Sequence, residues 1–169
     1  MHVWLDLEAT IITCWEEGFL INQEVIKSWL DENNIGDINI WSFALWDEKD
    51  RDEFITSGMK SAIEKVLDRR ILTHPCIREM RAMIFKTEKL KYISTRDFIQ
   101  INGKHWSFIK FCMGEHPDKK CVLIDDMVPS IEIRDSRTQG EIILINIEDL
   151  KQGKVSDEQK TATVEGVIA

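Results

Sequence analysis

Two of the short apolar runs in this chain end in acids. Val3-Trp4-Leu5 begins almost at once and stops at Asp6, and Cys121-Val122-Leu123-Ile124 stops at Asp125-Asp126. Runs this short and this continuously apolar predict strands buried on both faces. Glu141 to Ile147 predicts one more strand. Ile38 to Leu45, rich in β-branched and aromatic residues, predicts the second strand of the chain.

Between the strands the period changes. Val25, Ile26, Trp29 and Leu30 recur at helical spacing behind Asn22, a residue suited to cap a helix, and Asn33-Asn34-Ile35-Gly36 stops them. Asp47 to Asp52 reads as a charged turn, and Ile55, Met59, Ala62, Ile63, Val66 and Leu67 as one stripe of a longer helix. After Pro75, a short helix is predicted over Ile77, Met80, Met83 and Ile84, then an extended piece from Leu90 to Ser94 and an amphipathic helix from Lys104 to Met113. Strand, helix, strand, helix in that order predicts an α/β domain on a parallel sheet over residues 1–150. From about Lys151 the composition turns polar, and residues 151–169 read as a peripheral tail.

Composition narrows the class. The 169 residues are 43% hydrophobic and 31% charged, enough to bury a core in one domain. No apolar run approaches the ~20 residues of a membrane helix, and the start lacks the basic-then-apolar pattern of a secretory signal. Cys14, Cys76, Cys112 and Cys121 include no Cys-x-x-Cys pair, so a reduced, cytoplasmic protein is expected. Cys112, His116 and Cys121 are too few and too irregular for a zinc site. A net charge of -8 disfavours broad attraction to nucleic acid, unless a local basic patch or a bound cation reverses the field at one site.

The acids that end the two apolar runs are the candidate chemistry. In open parallel sheets, ligands gather outside the carboxyl ends of the strands. If the strands are neighbours, Asp6, Glu8, Asp125 and Asp126 converge, and like charges that close require a cation. Oxygen donors without His or Cys suit a hard ion such as Mg2+.

Asp6-Leu7-Glu8-Ala9-Thr10 after an apolar strand resembles the first motif, Asp-x-Asp-x-Thr, of the haloacid dehalogenase (HAD) superfamily. The resemblance implies a three-layer, Rossmann-like parallel sheet of the HAD type. It makes Asp6 a nucleophile that forms an aspartyl-phosphate, and Glu8 the general acid and base. Ser42, after Ile38-Asn39-Ile40-Trp41, resembles the second motif, whose hydroxyl holds a phosphoryl oxygen; Ser94, in Tyr92-Ile93-Ser94-Thr95, is the rival. Lys104, opening a helix, resembles the third, with Lys110 the alternative, and Asp125-Asp126 resemble the fourth. The implied catalytic set is Asp6, Glu8, Ser42 and Lys104; the implied Mg2+ ligands are Asp6, Glu8, Asp125 and Asp126.

Glu8 departs from the family's second Asp. Its extra methylene moves the carboxyl by roughly 1.5 Å, and misplacement near 1 Å can cost about a hundredfold in rate. The segment Ile11 to Ile21 is short, so no large cap domain is expected, and an open core of this kind suits a macromolecular substrate. Among the six tryptophans, Trp4, Trp29 and Trp41 fall on core positions, while Trp15, Trp46 and Trp106 fall near the expected mouth, placed to stack a base or anchor a partner. Two functions follow. One is a Mg2+-dependent phosphomonoester hydrolase, with nucleotides or nucleic-acid ends among its implied substrates. The other is a catalytically weakened HAD-fold binding protein. Asp6 to Thr10 with Ser42-Phe43-Ala44-Leu45-Trp46 also resembles the Alc proteins of T-even-like phages, which implies an inhibitor or terminator of host transcription acting on RNA polymerase.

Overall fold

The computed structural model describes residues 1–85, 94–136, 138–154 and 160–164. The fold is α/β. Strand β1 (His2–Leu5) lies between β2 (Asn39–Ile40) and β3 (Lys120–Asp125), and β5 (Glu141–Asn146) follows β3; all four run parallel. At the far edge, β4 (Ile131–Asp135) runs antiparallel to β5, and β6 (Lys160–Val164) runs parallel to β4, giving the order β2-β1-β3-β5-β4-β6.

Helices cover both faces, so the inner strands are apolar through their middles, at Val3 to Leu5, Cys121 to Ile124 and Ile142 to Ile145. Val3, Leu5, Val122, Ile124, Ile143 and Ile145 face one core cluster, filled by Ile26 and Leu30 of α1 (Gln23–Glu32), Ile63 and Leu67 of α3 (Met59–Leu67), and Ile147 and Leu150 of α6 (Ile147–Lys151). Trp4, Cys121, Leu123, Ile142 and Leu144 face the other. There they meet Ile77 and Met80 of α4 (Ile77–Ile84) and Phe98, Phe108 and Phe111 of α5 (Thr95–Glu115). Trp4 and Trp41 pack edge to face at 5.7 Å, and Trp41 stacks on Phe111 at 4.8 Å. Among the described residues no helix is long and apolar enough to cross a membrane.

Several expectations need correction. The run Ile38 to Leu45 makes a strand only at Asn39–Ile40. Trp41 N still donates to Leu5 O at 2.9 Å, but β1 ends there, and the chain turns Trp41 into the second core cluster. The single helix expected over Ile55 to Leu67 is two. Helix α2 (Glu48–Thr56) ends at Ser57, and Gly58, at φ 87°, starts α3. The charged turn Asp47 to Asp52 is the start of α2: Asp47 accepts from Asp50 N, and Glu48 and Asp50 sit against the positive end of the helix. Asn22 stands at the cap position of α1 without capping it. At φ 56° it donates instead through Nδ2 to Thr10 O at 2.8 Å.

Helix α5 begins well before Lys104. Ser94 caps it by accepting from Asp97 N, and Gly103 (φ 61°, ψ -174°) breaks it, so Lys104 opens its second segment. Of the extended piece expected at Leu90 to Ser94, residues 90–93 lie outside the described residues. Within the stretch read as a polar tail, Lys160–Val164 pairs with β4.

Candidate functional site

Alternation along the strands decides where the acids point. Val3 and Leu5 face the first cluster, so Trp4 and Asp6 face α5; by the same count, Leu123 and Asp125 face α5. The parallel register sets Leu5 opposite Ile124, and Asp6 N donates to Ile124 O at 3.0 Å. The two carboxylates therefore emerge side by side at the carboxyl end of the sheet, beneath the helix that carries Lys104.

Lys104 Nζ lies 2.6 Å from Asp6 Oδ1 and 3.2 Å from Asp125 Oδ2. Asp6 is 3% exposed and Asp125 is fully buried. Burial pulls the Lys104 ammonium down, but the Asp6 and Asp125 carboxylates outweigh it and hold it above its ordinary value. Asp125 is pushed up to about 7 by burial and then by the charge of Asp6, against the pull of Lys104 and of Met127 N. Asp126 is also raised, first by burial. One cation among three carboxylates leaves the site short of positive charge.

Neighbouring groups position these side chains. Thr10 Oγ1 donates to Asp6 Oδ2 at 3.4 Å, and Met127 N donates to Asp125 Oδ1 at 2.8 Å. The ring of Phe43 lies 5.1 Å from Lys104 Nζ, a cation–π contact. Ser107 Oγ donates to Lys104 O at 2.7 Å and accepts from Trp41 Nε1 at 3.4 Å, tying the broken helix to the exit of β2. Asn146 Nδ2 donates to Asp126 O at 3.1 Å and Val128 O at 2.8 Å, fixing the loop that bears Asp126.

Glu8 is used differently. Its Oε2 accepts from Trp15 N at 2.8 Å. Thr10, Ile11 and Ile12 N all turn back to Leu7 O, Ala9 takes φ 56°, and Ile12 bridges both Glu8 and Leu20. The segment 7–21 is thus a small flap folded over the end of β1, and Glu8 fastens it. The oxygens that lie within 4.8 Å of one another belong to Asp6, Asp125 and Asp126. Among the described residues no other group of His, Cys, Asp and Glu side chains has this metal-holding geometry, Cys112, His116 and Cys121 included.

Ser42 is buried just past the end of β2, beside β1, and its Oγ accepts from Ala44 N at 3.2 Å. Its rival Ser94 is a helix cap. Lys110, the rival of Lys104, donates to Asn102 Oδ1 at 2.7 Å and lies over Phe85. Of the tryptophans expected in the core, Trp4 and Trp41 are buried, while Trp29 is partly buried, as is Trp15. Trp46 and Trp106 are exposed. Sequence reasoning missed Phe43, Ser107 and Asn146, which act on the site through another side chain or a backbone carbonyl and carry no motif of their own.

The donor set fits a hard divalent ion. All three groups are carboxylates, and buried Asp125 Oδ2, despite its nearness to Lys104, has no hydrogen-bond partner. A small cation seated against Asp6, Asp125 and Asp126 would satisfy that oxygen. Comparison of the chain with protein-family models, with curated proteins and with solved structures finds no match.

Proposed function

We propose that this chain is a magnesium-dependent phosphomonoester hydrolase of the HAD type, working through an aspartyl-phosphate at Asp6. The observation that carries the reading is Lys104 Nζ set between the carboxylates of Asp6 and Asp125, on adjoining ends of parallel strands. Such a lysine restrains the nucleophile and offers positive charge to an incoming phosphoryl group. Asp6, Asp125 and Asp126 would hold a magnesium ion, which would supply further positive charge to the transferring group.

In this reading an Asp6 oxygen forms a bond to phosphorus as the bond to the leaving oxygen breaks. The leaving oxygen takes a proton, and water then cleaves the acyl phosphate, returning Asp6 and releasing phosphate. The Ser42 hydroxyl and Lys104 orient the transferring group. To reach the leaving oxygen, the Glu8 side chain gives up its bond to Trp15 N.

The test is hydrolysis of a generic aryl phosphate with magnesium, by the parent and by Asp6→Asn. Activity that vanishes in the variant, and magnesium-dependent binding of beryllium fluoride by the parent alone, are expected. Background activity in both proteins would overturn the reading. The engagement of Glu8 with the flap favours a second reading, a HAD-fold binding protein in which turnover has been lost. That outcome predicts magnesium binding without hydrolysis.

A further inference from the structure

Helix α5 is two helical segments joined at one residue, and the joint is made of buried polar groups. Gly103, at φ 61° and ψ -174°, separates a first segment that ends at Asn102 from a second that starts at Lys104. On one side Asn102, 3% exposed, turns back and donates through Nδ2 to Phe98 O at 3.0 Å. On the other, fully buried Ser107 donates to Lys104 O at 2.7 Å. Lys110 crosses the joint: carried by the second segment, its Nζ donates to Asn102 Oδ1, in the first, at 2.7 Å. A buried amide costs free energy unless it is hydrogen-bonded. Asn102 commits both halves of its amide to the joint.

Aromatic rings repeat the connection. Phe98, in the first segment, packs edge to face against Phe43 at 6.4 Å and Phe85 at 5.9 Å. Phe43 lies 5.1 Å from Lys104 Nζ, and Phe85 lies 5.8 Å from Lys110 Nζ. Both lysines of the second segment are thus tied to the first through one phenylalanine. The backbone at a glycine is free to swing, so side chains set the direction in which the second segment leaves the joint. That direction decides whether Lys104 Nζ meets Asp6 and Asp125, at 2.6 and 3.2 Å, or solvent.

We infer that Asn102 and Lys110 are positioning residues for Lys104: the hydrogen bond between them locks the Gly103 joint at the angle that delivers the Lys104 ammonium to the paired aspartates. The donor is a charged ammonium, which makes this bond stronger than one between neutral partners. The inference deepens the proposed function and rests on it only for the effect on turnover; the placing of Lys104 is read without any substrate.

Competitive acetylation of the full chain with limiting acetic anhydride, mapped by mass spectrometry, measures how accessible each lysine amine is. In the parent, Lys104 is expected to react far more slowly than exposed Lys49 and Lys119. Lys110→Met and Asn102→Leu are each expected to speed acetylation of Lys104 by about tenfold relative to Lys49, the factor to which a lost charge-assisted hydrogen bond corresponds. Lys110→Arg keeps a charged donor and is expected to keep Lys104 as slow as in the parent. Ile109→Val, at a buried position of the same helix, loosens packing alone and is expected to leave Lys104 protected. Lys110 is only partly buried, so Lys110→Met reads the joint even if Asn102→Leu does not fold. Aryl phosphate turnover is expected to fall in Lys110→Met and to be kept in Lys110→Arg; a parent without turnover overturns the hydrolase reading and leaves the acetylation result standing. Lys104 as slow in Lys110→Met as in the parent, or as fast in Ile109→Val as in Lys110→Met, would overturn the inference.

Discussion

Replacing Asp125 by Asn should stabilise the metal-free protein at alkaline pH while destroying its response to magnesium. Folded, Asp125 keeps its proton up to about pH 7; its ordinary value is 3.8. Between those values the folded state holds more protons than the unfolded chain. Stability therefore falls as pH rises from about 4 to about 7 and levels off above. The full gap corresponds to on the order of 4 kcal/mol, and Asp126, raised in the same direction, adds to the slope. Asn removes the Asp125 share of that cost. Its side-chain oxygen can still accept from Met127 N, and the attraction of the carboxylate for Lys104 is already contained in the raised value of Asp125.

The gain at pH 8 is on the order of 4 kcal/mol at most, or roughly 8–16 °C in Tm for a domain of this size. Urea unfolding followed by the fluorescence of buried Trp4 and Trp41, in chelator at pH 5.5 and pH 8, measures it. Magnesium at a hundredfold excess over its Kd should raise the stability of the parent by about 3 kcal/mol and leave the variant nearly unmoved. A parent whose stability does not fall between pH 5.5 and pH 8 would refute the account of the site. So would a variant that is weaker at pH 8 yet still responds to magnesium.

Three further outcomes follow from the same geometry. Lys104→Met leaves two buried carboxylates uncompensated and should cost about 3–5 kcal/mol at pH 8, less at pH 5.5, where Asp125 takes up a proton; equal costs in urea at the two pH values would contradict this. Gly103→Ala meets no steric neighbour, but its φ of 61° with ψ -174° is a glycine conformation. It should cost about 1–3 kcal/mol and weaken magnesium binding by moving Lys104, whereas unchanged magnesium titration would show that the break does not place the lysine. Glu8→Asp should raise aryl phosphate turnover, by about tenfold given the usual cost of misplacement, and speed amide hydrogen exchange at Trp15; unchanged or lower turnover would show that Glu8 is not a misplaced acid.

The parts of the fold that the sequence made legible are those buried on both sides. Val3 to Leu5, Cys121 to Ile124 and Ile142 to Ile145 are apolar throughout because helices cover both faces of the sheet. The same logic overextended β2, since Trp41 and Leu45 are apolar for another reason: they turn inward after the strand ends. The helical stripe from Ile55 to Leu67 concealed a break at Ser57-Gly58, because the apolar spacing runs on across it. Strand β4 alternates only Ile131 and Ile133 within a polar stretch, and Lys160–Val164 sits in a composition that reads as tail, so neither stands out. Asp6, Lys104, Asp125 and Asp126 were legible as acids closing apolar runs and a lysine opening a helix. The direction of the Glu8 side chain was not, because it depends on the folding of the flap back over Leu7.

The position of β1 inside the sheet, between β2 and β3, has a consequence for how the molecule is made. Its partner β3 is synthesised more than a hundred residues later, so Val3-Trp4-Leu5 leaves the ribosome long before the strand that buries it. Until then one edge of a tryptophan-bearing apolar strand is open to other chains, and the central pairing has a high contact order. Nascent chains halted before Lys120 are therefore the species most exposed to aggregation, and the ones a chaperone would have to hold.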